Sequence, residues 1–164
     1  MTKFWFDTEF LEDGHTIEPI SIGIVREDGE QYYAEFELAS DVLQRIQAHT
    51  WLMANVVPHL DGDWKPKQQI GREIIEFTRC RDEPEFWGYC AAYDWVLLNQ
   101  IYGPMVEHPK AWPFYCNDIS QLALDLGLNR RTFPAQDSSH GAEHNALADA
   151  RWTRDTYYWI VRQD

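Results

Sequence analysis

Two carboxylates near the amino terminus, in the segment Asp7-Thr8-Glu9, have the spacing of a metal site. On a β-strand, residues i and i+2 project from the same face about 6.5–7 Å apart, so both side chains can reach one hard cation. About four acid-x-acid triplets are expected by chance in a chain this acidic, and the sequence contains five. Asp7 and Glu9 differ from the rest because they close an aromatic strand that is predicted to be central, where unpaired carboxylates are costly to bury.

Two further acids and a histidine stand where ligands are expected. Asp94 follows the apolar segment 86–93 at a predicted strand-to-helix junction, where it is either a helix N-cap or a ligand at the end of a strand. His144 and Asp149 flank the start of the last predicted helix, with Asn145 as its possible cap. Asp149 can then face the sheet while the imidazole approaches from the solvent side and accepts a proton from water.

Other chemistries find less support. A zinc pair formed by His140 and His144 is disfavoured, because Gly141 lies between them and no thiolate is near. The sequence has no glycine-rich phosphate loop and no G-x-S-x-G segment. Nucleoside-triphosphate chemistry and α/β-hydrolase chemistry are therefore disfavoured.

The composition is that of an ordinary globular protein, and its 164 residues predict one domain spanning 1–164. A net charge of −13 argues against non-specific binding of long nucleic acid, but divalent metals could reverse the local field for phosphate substrates. Three cysteines without a C-x-x-C pair (Cys80, Cys90 and Cys116) indicate reduced thiols in a cytoplasmic protein. No apolar run approaches the ~20 residues of a membrane span, so no membrane partner is expected.

Hydrophobic periodicity predicts the elements that position these residues. Strands at 4–9, 19–25 and 31–38 form an antiparallel meander. The later segments alternate, with helices at 41–57 (broken near 49–50), 66–79, 94–102, 118–126 and 145–161, strands at 86–90 and 114–116, and polar loops at 61–67 and 127–141. This order predicts an α/β fold on the border of α+β, with one mixed sheet covered by helices on both faces.

The order of the motifs resembles that of the DEDDh 3′–5′ exonucleases, whose fold is RNase H-like. An acidic pair lies on the first strand, an Asp follows a middle strand, and His-x4-Asp opens the last helix. The sequence is most similar to a short bacterial exoribonuclease-like branch of that superfamily. Many relatives in the superfamily have Asn where Cys90 stands, but the short branch tolerates other residues in this stretch. The similarity spans nearly the whole chain, through segments 7–10, 12–18, 20–23, 92–94, 103–105 and 146–150.

The resemblance implies four metal-binding acids, Asp7, Glu9, Asp94 and Asp149, with His144 as general base. Two Mg²⁺ or Mn²⁺ ions about 3.5–4 Å apart would offset the repulsion between the carboxylates. We expect Asp7 to bridge both ions, Glu9 and Asp149 to complete the first, and Asp94 to hold the second.

The resemblance also implies that Glu9 and the backbone of Thr8 and Phe10 bind the terminal 3′-OH. The expected activity is hydrolysis of single-stranded RNA 3′ ends or short oligoribonucleotides, which releases nucleoside 5′-monophosphates. Members of the short branch form homodimers, so a homodimer is possible here. The alternatives are a 3′–5′ exodeoxyribonuclease of the same fold, an inactive nucleotide- or RNA-binding module, and a structural protein with acidic surface stripes.

Overall fold

The computed structural model describes residues 1–79, 83–137 and 141–163. Its centre is one six-stranded mixed sheet in the order β4-β3-β2-β1-β5-β6. Strands β1, β2 and β3 are antiparallel, and the remaining pairings are parallel. The predicted meander and mixed sheet are therefore confirmed. The strands are β1 (Thr2–Glu12), β2 (Ile17–Arg26), β3 (Gln31–Phe36), β4 (Trp64–Lys65), β5 (Pro84–Gly88) and β6 (Asn117–Asp118).

The helices follow the predicted segments closely. The break predicted near 49–50 is confirmed, because His49 ends the first helix and its ring accepts a hydrogen bond from Leu52 N–H at the start of the second. The third helix begins at Lys67, one residue later than predicted, because Pro66 is at its N-cap rather than in its first turn. The helices are α1 (Ser40–Ala48), α2 (Thr50–Asn55), α3 (Lys67–Phe77), α4 (Ala92–Gln100), α5 (Ile119–Asp125) and α6 (Ala146–Val161), with 3-10 turns at Val57–His59, Met105–Glu107 and Arg130–Thr132.

Two predicted segments are wrong. The loop predicted at 61–67 contains β4, which pairs in parallel with the end of β3. The strand predicted at 114–116 does not form, since Phe114 and Tyr115 are exposed and the pairing to β5 begins at Asn117. Both errors concern two-residue strands, which are too short to show the alternation that identifies a strand in a sequence.

Side chains of β1 alternate between two hydrophobic cores. Phe4 and Phe6 pack on one face beneath α3 and α4, where Ile74 belongs to the same buried cluster. Trp5 points to the opposite face and lies 5.3 Å, between ring centroids, from Tyr157 of α6. Helices thus cover both faces, as predicted. Asp7 and Glu9 continue the face of Trp5, because side chains two residues apart on a strand share a face.

The close approach of α6 to the sheet depends on a glycine. Gly23 lies opposite Asp7 in the pairing of β2 with β1. A Cβ at Gly23 would stand 2.4 Å from the carbonyl carbon of Ala146 and from the Cα of Leu147. The first turn of α6 therefore rests directly on the backbone of β2, beside Asp7.

Two further observations concern membrane-spanning helices and the cysteines. No helix in the described part of the chain has the length and hydropathy needed to cross a bilayer. Cys90 and Cys116 carry free thiols, whereas Cys80 lies outside the described residues.

We expect Gly23→Ala to destabilise the protein by about 1–3 kcal/mol, because the added methyl group must displace the start of α6. Chemical denaturation measures the loss. The control is Gly71→Ala, whose added Cβ would meet only side-chain atoms of Ile101 and Tyr102, and which should unfold close to the parent. Equal stability of Gly23→Ala and the parent would contradict this account of the helix contact.

Candidate active site

The site lies where β1 continues beyond its neighbour β5. Their parallel pairing ends at Trp5 and Trp87, and the chain then turns into α4. Farther along β1, the Thr8 N–H and hydroxyl both donate to Oδ1 of Asp94, at 2.9 and 2.5 Å. Asp94 therefore accepts the hydrogen bond that a neighbouring strand would accept from the Thr8 N–H, and it connects the first turn of α4 to β1.

Asp94 is not the N-cap of its helix. The helix begins at Ala92 and has Ala91 at the cap position, without a side-chain hydrogen bond. Asp94 lies in the first turn and is only 7% exposed, so the N-cap interpretation is wrong. Before this turn, Cys90 has a φ of +53°, a left-handed conformation that Asn adopts more readily than most residues.

Both carboxylate oxygens of Asp149, near the start of α6, accept hydrogen bonds. Asn145 is the N-cap and accepts a hydrogen bond from the Ala148 N–H, as predicted. His144 precedes it with a φ of +64°, and its backbone N–H donates to Oδ2 of Asp149 at 3.1 Å. Gln136 donates from Nε2 to Oδ1 at 2.7 Å. The carboxylate therefore has a fixed orientation towards β1.

The structure brings the predicted site residues together. Ligand atoms of Glu9, His144 and Asp149 all lie within 4.8 Å of one another. Asp7 is on the same face of β1 as Glu9, and the charges of Glu9, Asp94 and Asp149 all act on it. Four carboxylates and one imidazole, from β1, α4 and the start of α6, thus meet in one place.

Burial and mutual repulsion oppose ionisation of these acids. Burial raises the pKa of Glu9 to about 8, and the negative charges of Asp149 and Asp94 add to the shift. The pKa of Asp7 is raised well above its ordinary value, first by burial and then by the charges of the other acids. Burial also raises the pKa of Asp94 and of Asp149, against hydrogen bonds that favour the charged forms.

The cluster fits a divalent metal ion. Within residues 1–79, 83–137 and 141–163, no Lys or Arg forms an ion pair with any of its four acids. A divalent cation would supply the missing positive charge, and carboxylate oxygens are ligands that hard cations prefer. The zinc alternative includes His140, which lies outside the described residues.

Several neighbours of the site carry no signal in the sequence. Trp51 of α2 is 48% exposed, and its ring lies edge to face against His144 with centroids 4.8 Å apart. Phe10 stacks on Tyr93 with centroids 5.8 Å apart and an interplanar angle of 13°. Gln136 belongs to the segment predicted as a loop. These contacts join residues far apart in the chain, so no local pattern predicts them.

Solved structures share this fold at low sequence identity. Escherichia coli ExoI, in a metal-free complex with single-stranded DNA, superposes with a TM-score of 0.60 and 14% identity over 98% of this chain, which spans 42% of that chain. The RNase domain of yeast Pop2 gives a TM-score of 0.58 and 12% identity over 98% of this chain and 77% of its own. The fold is thus that of the RNase H-like exonucleases, as predicted.

Sequence comparison identifies the family. The profile of the Rv2179c-like 3′-5′ exoribonuclease domain matches residues 2–161. The 3′-5′ exoribonuclease Rv2179c of Mycobacterium tuberculosis is 39% identical over 155 residues, which cover 91% of this chain and 87% of that protein. The chain belongs to this family of Rv2179c-like 3′-5′ exoribonuclease domains.

We expect the metal-free protein to lose stability as the pH rises from about 4.5 to about 8. In this range folded Glu9 keeps a proton that the unfolded chain has released, so the free energy of unfolding falls as the pH rises. Thermal unfolding in EDTA across this range measures the slope. Glu9→Gln cannot ionise and should show a flatter profile, and an unchanged slope in this variant would contradict the assignment.

Proposed function

We propose that the protein is a metal-dependent 3′–5′ exoribonuclease that acts as one domain of residues 1–164. The observation that carries the proposal is the convergence of Asp7, Glu9, Asp94, Asp149 and His144 beyond the end of β5. The fold and the family match support the same activity. The products are nucleoside 5′-monophosphates, released one at a time from the 3′ end.

The four acids would hold two divalent ions, Mg²⁺ or Mn²⁺. Asp7 is assigned to both ions, Glu9 and Asp149 to the first, and Asp94 to the second. Such a pair activates water and stabilises the leaving oxygen in phosphodiester hydrolysis. The hydrogen bonds from Gln136 and from the His144 N–H orient Asp149 for this role.

His144 is assigned as the general base. Its ring lies beside Glu9 and Asp149 at the rim of the site, and a neutral imidazole can accept a proton near neutral pH. The ring of Trp51 packs edge to face against it. In this position the imidazole can take the proton of the water that attacks the last phosphodiester.

Recognition of the 3′ end is assigned to Glu9 and to the backbone of Thr8 and Phe10. The Thr8 N–H already donates to Asp94, so the backbone contacts to the terminal hydroxyl are assigned to the other polar backbone groups of Thr8 and Phe10, beside the carboxylate of Glu9. The stacked rings of Phe10 and Tyr93 lie next to these residues and offer a face for the terminal base.

We propose single-stranded RNA ends and short oligoribonucleotides as substrates. The charge of −13 disfavours electrostatic steering of a long polyanion. Affinity must therefore come from metal ions, the terminal hydroxyl and base stacking, which contributes about 1–3 kcal/mol per base. Matched 5′-labelled RNA and DNA substrates test the sugar preference, and equal rates on RNA and on blunt duplex DNA would contradict it.

We also propose a cytoplasmic location and a homodimer. The free thiols of Cys90 and Cys116 support a reducing compartment. A dimer is implied by the family resemblance, and Met105, Val106 and Phe114 are exposed apolar residues that could be covered in it. Light scattering of the purified protein measures the mass, and a monomer at micromolar concentration would contradict the dimer.

We expect Asp7→Asn to abolish the stepwise shortening of 5′-labelled single-stranded RNA, because it removes the carboxylate assigned to both ions. A time course with Mg²⁺ should give a one-nucleotide ladder with the parent, which disappears with chelator and in Asp7→Asn. The matched control is Asp63→Asn, an exposed acid of another acid-x-acid pair, which should keep the ladder. A ladder that survives chelator would contradict the metal-dependent reaction.

We expect His144→Asn to lower kcat by about 10²–10⁴-fold, because proton transfer by a positioned base accounts for that range. The variant keeps the four acids, so Mg²⁺ should still raise its melting temperature. Single-turnover cleavage and thermal unfolding with increasing Mg²⁺ measure the two effects. Cleavage at the parent rate would contradict the assignment of His144 as the general base.

A further inference from the structure

A cavity of about 450 Å³ opens from the acidic cluster on the side of β5. Asp7, His144 and Asp149 line it, together with Arg130 and other residues of the segment between α5 and α6. Tyr89, the residue after β5, also lines it. The cavity is within the size range of sites that bind small organic ligands.

Three aromatic rings in mutual contact, those of Tyr89, Phe133 and Trp152, form one wall of the cavity. Centroids lie 5.0 Å apart for Tyr89 and Trp152, 6.2 Å for Tyr89 and Phe133, and 6.4 Å for Phe133 and Trp152. Nε1 of Trp152 donates to the carbonyl oxygen of Pro134 at 2.9 Å. This hydrogen bond ties the segment between α5 and α6 to α6 itself, so the aromatic wall has a defined position.

Arg130 supplies positive charge to this acidic cavity. It lies in the 3-10 turn before Phe133 and is the only Lys or Arg among the described residues that line the cavity. In the part of the chain that the structure describes, its guanidinium makes no ion pair. Arginine is well suited to phosphate, because its planar fork can donate two parallel hydrogen bonds.

The direction of the substrate follows from the proposed function, on which this inference rests. A phosphodiester has one nucleoside on each side, and the proposed 3′-terminal nucleoside lies by Glu9 and Phe10, beyond Asp7 along β1. With the scissile phosphate at Asp7, the rest of the RNA must leave on the other side. The aromatic cavity is lined by Asp7 and by Tyr89 after β5, whereas Glu9 and Phe10 are not among its lining residues, so it lies on that other side.

We propose that this cavity binds the nucleotide on the 5′ side of the scissile bond. Arg130 contacts the phosphate of that nucleotide, and its base packs against the wall of Tyr89, Phe133 and Trp152. Stacking on aromatic rings tolerates any base, so the subsite selects for a second nucleotide rather than for a sequence. Glu143 also lines the cavity. Because its negative charge repels an anionic ligand, the positive charge of Arg130 is the more important for binding.

The test compares two substrates that differ only beyond the scissile bond. Single-stranded RNA fills the cavity, whereas the p-nitrophenyl ester of uridine 5′-monophosphate has p-nitrophenolate as its leaving group and no second nucleotide. Arg130→Gln should lower kcat/KM for RNA about 10-fold or more, as the loss of a charged hydrogen bond does. Its kcat/KM for the ester should change less than about two-fold.

Arg131→Gln is the matched control. Arg131 is an exposed neighbour in the same 3-10 turn but does not line the cavity, so both substrates should be cleaved at parent rates. A second variant, Phe133→Leu, removes one ring from the wall and should lower kcat/KM for RNA more than for the ester.

Other results would overturn the subsite. An equal loss on both substrates in Arg130→Gln would place the guanidinium on the scissile phosphate instead. Parent rates on RNA in Arg130→Gln would show that the cavity does not hold the substrate phosphate. If the parent cleaves neither substrate, the proposed function itself fails, and the inference fails with it for that distinct reason.

Discussion

The site depends on holding four carboxylates together against burial and mutual repulsion. Asp7 and Glu9 come from one face of β1, where burial and the charges of the neighbouring acids raise the pKa of each and oppose ionisation without a cation. Asp94 and Asp149 are kept in place by hydrogen bonds to β1 and to the segment before α6. Repulsion between the four carboxylates destabilises the folded protein when no metal is bound. The same negative charge binds divalent cations, so the arrangement is suited to a metal site.

This constraint explains several irregular features of the fold. The short β5 leaves part of β1 open for Asp94, and Gly23 allows α6 to rest on the sheet beside Asp7. In the described ranges, the non-glycine residues with positive φ are Cys90 and His144. They lie just before the two helices that carry Asp94 and Asp149. Backbone strain of this kind gathers at functional sites, where the surrounding structure enforces it.

The strongly acidic surface and an anionic substrate are compatible when recognition is local. A net charge of −13 weakens long-range attraction to RNA. The contacts that we propose at the chain end are short-range. They involve the rings of Phe10 and Tyr93 on one side of the acids and those of Phe133 and Trp152 on the other. With this organisation we expect a preference for ends and short oligomers, because each nucleotide beyond the site would gain little from the remaining acidic surface.

The sequence by itself determined the elements whose signals are local. Alternation identified the three antiparallel strands, and Asn145 marked the start of α6, because strand pattern and capping involve residues close together in the chain. The order of the acidic motifs predicted the candidate site residues. Only the tertiary structure decided that Asp94 bonds Thr8 rather than caps its helix, and that Trp51 contacts His144. These contacts join distant segments, and their geometry is set by how the helices pack on the sheet.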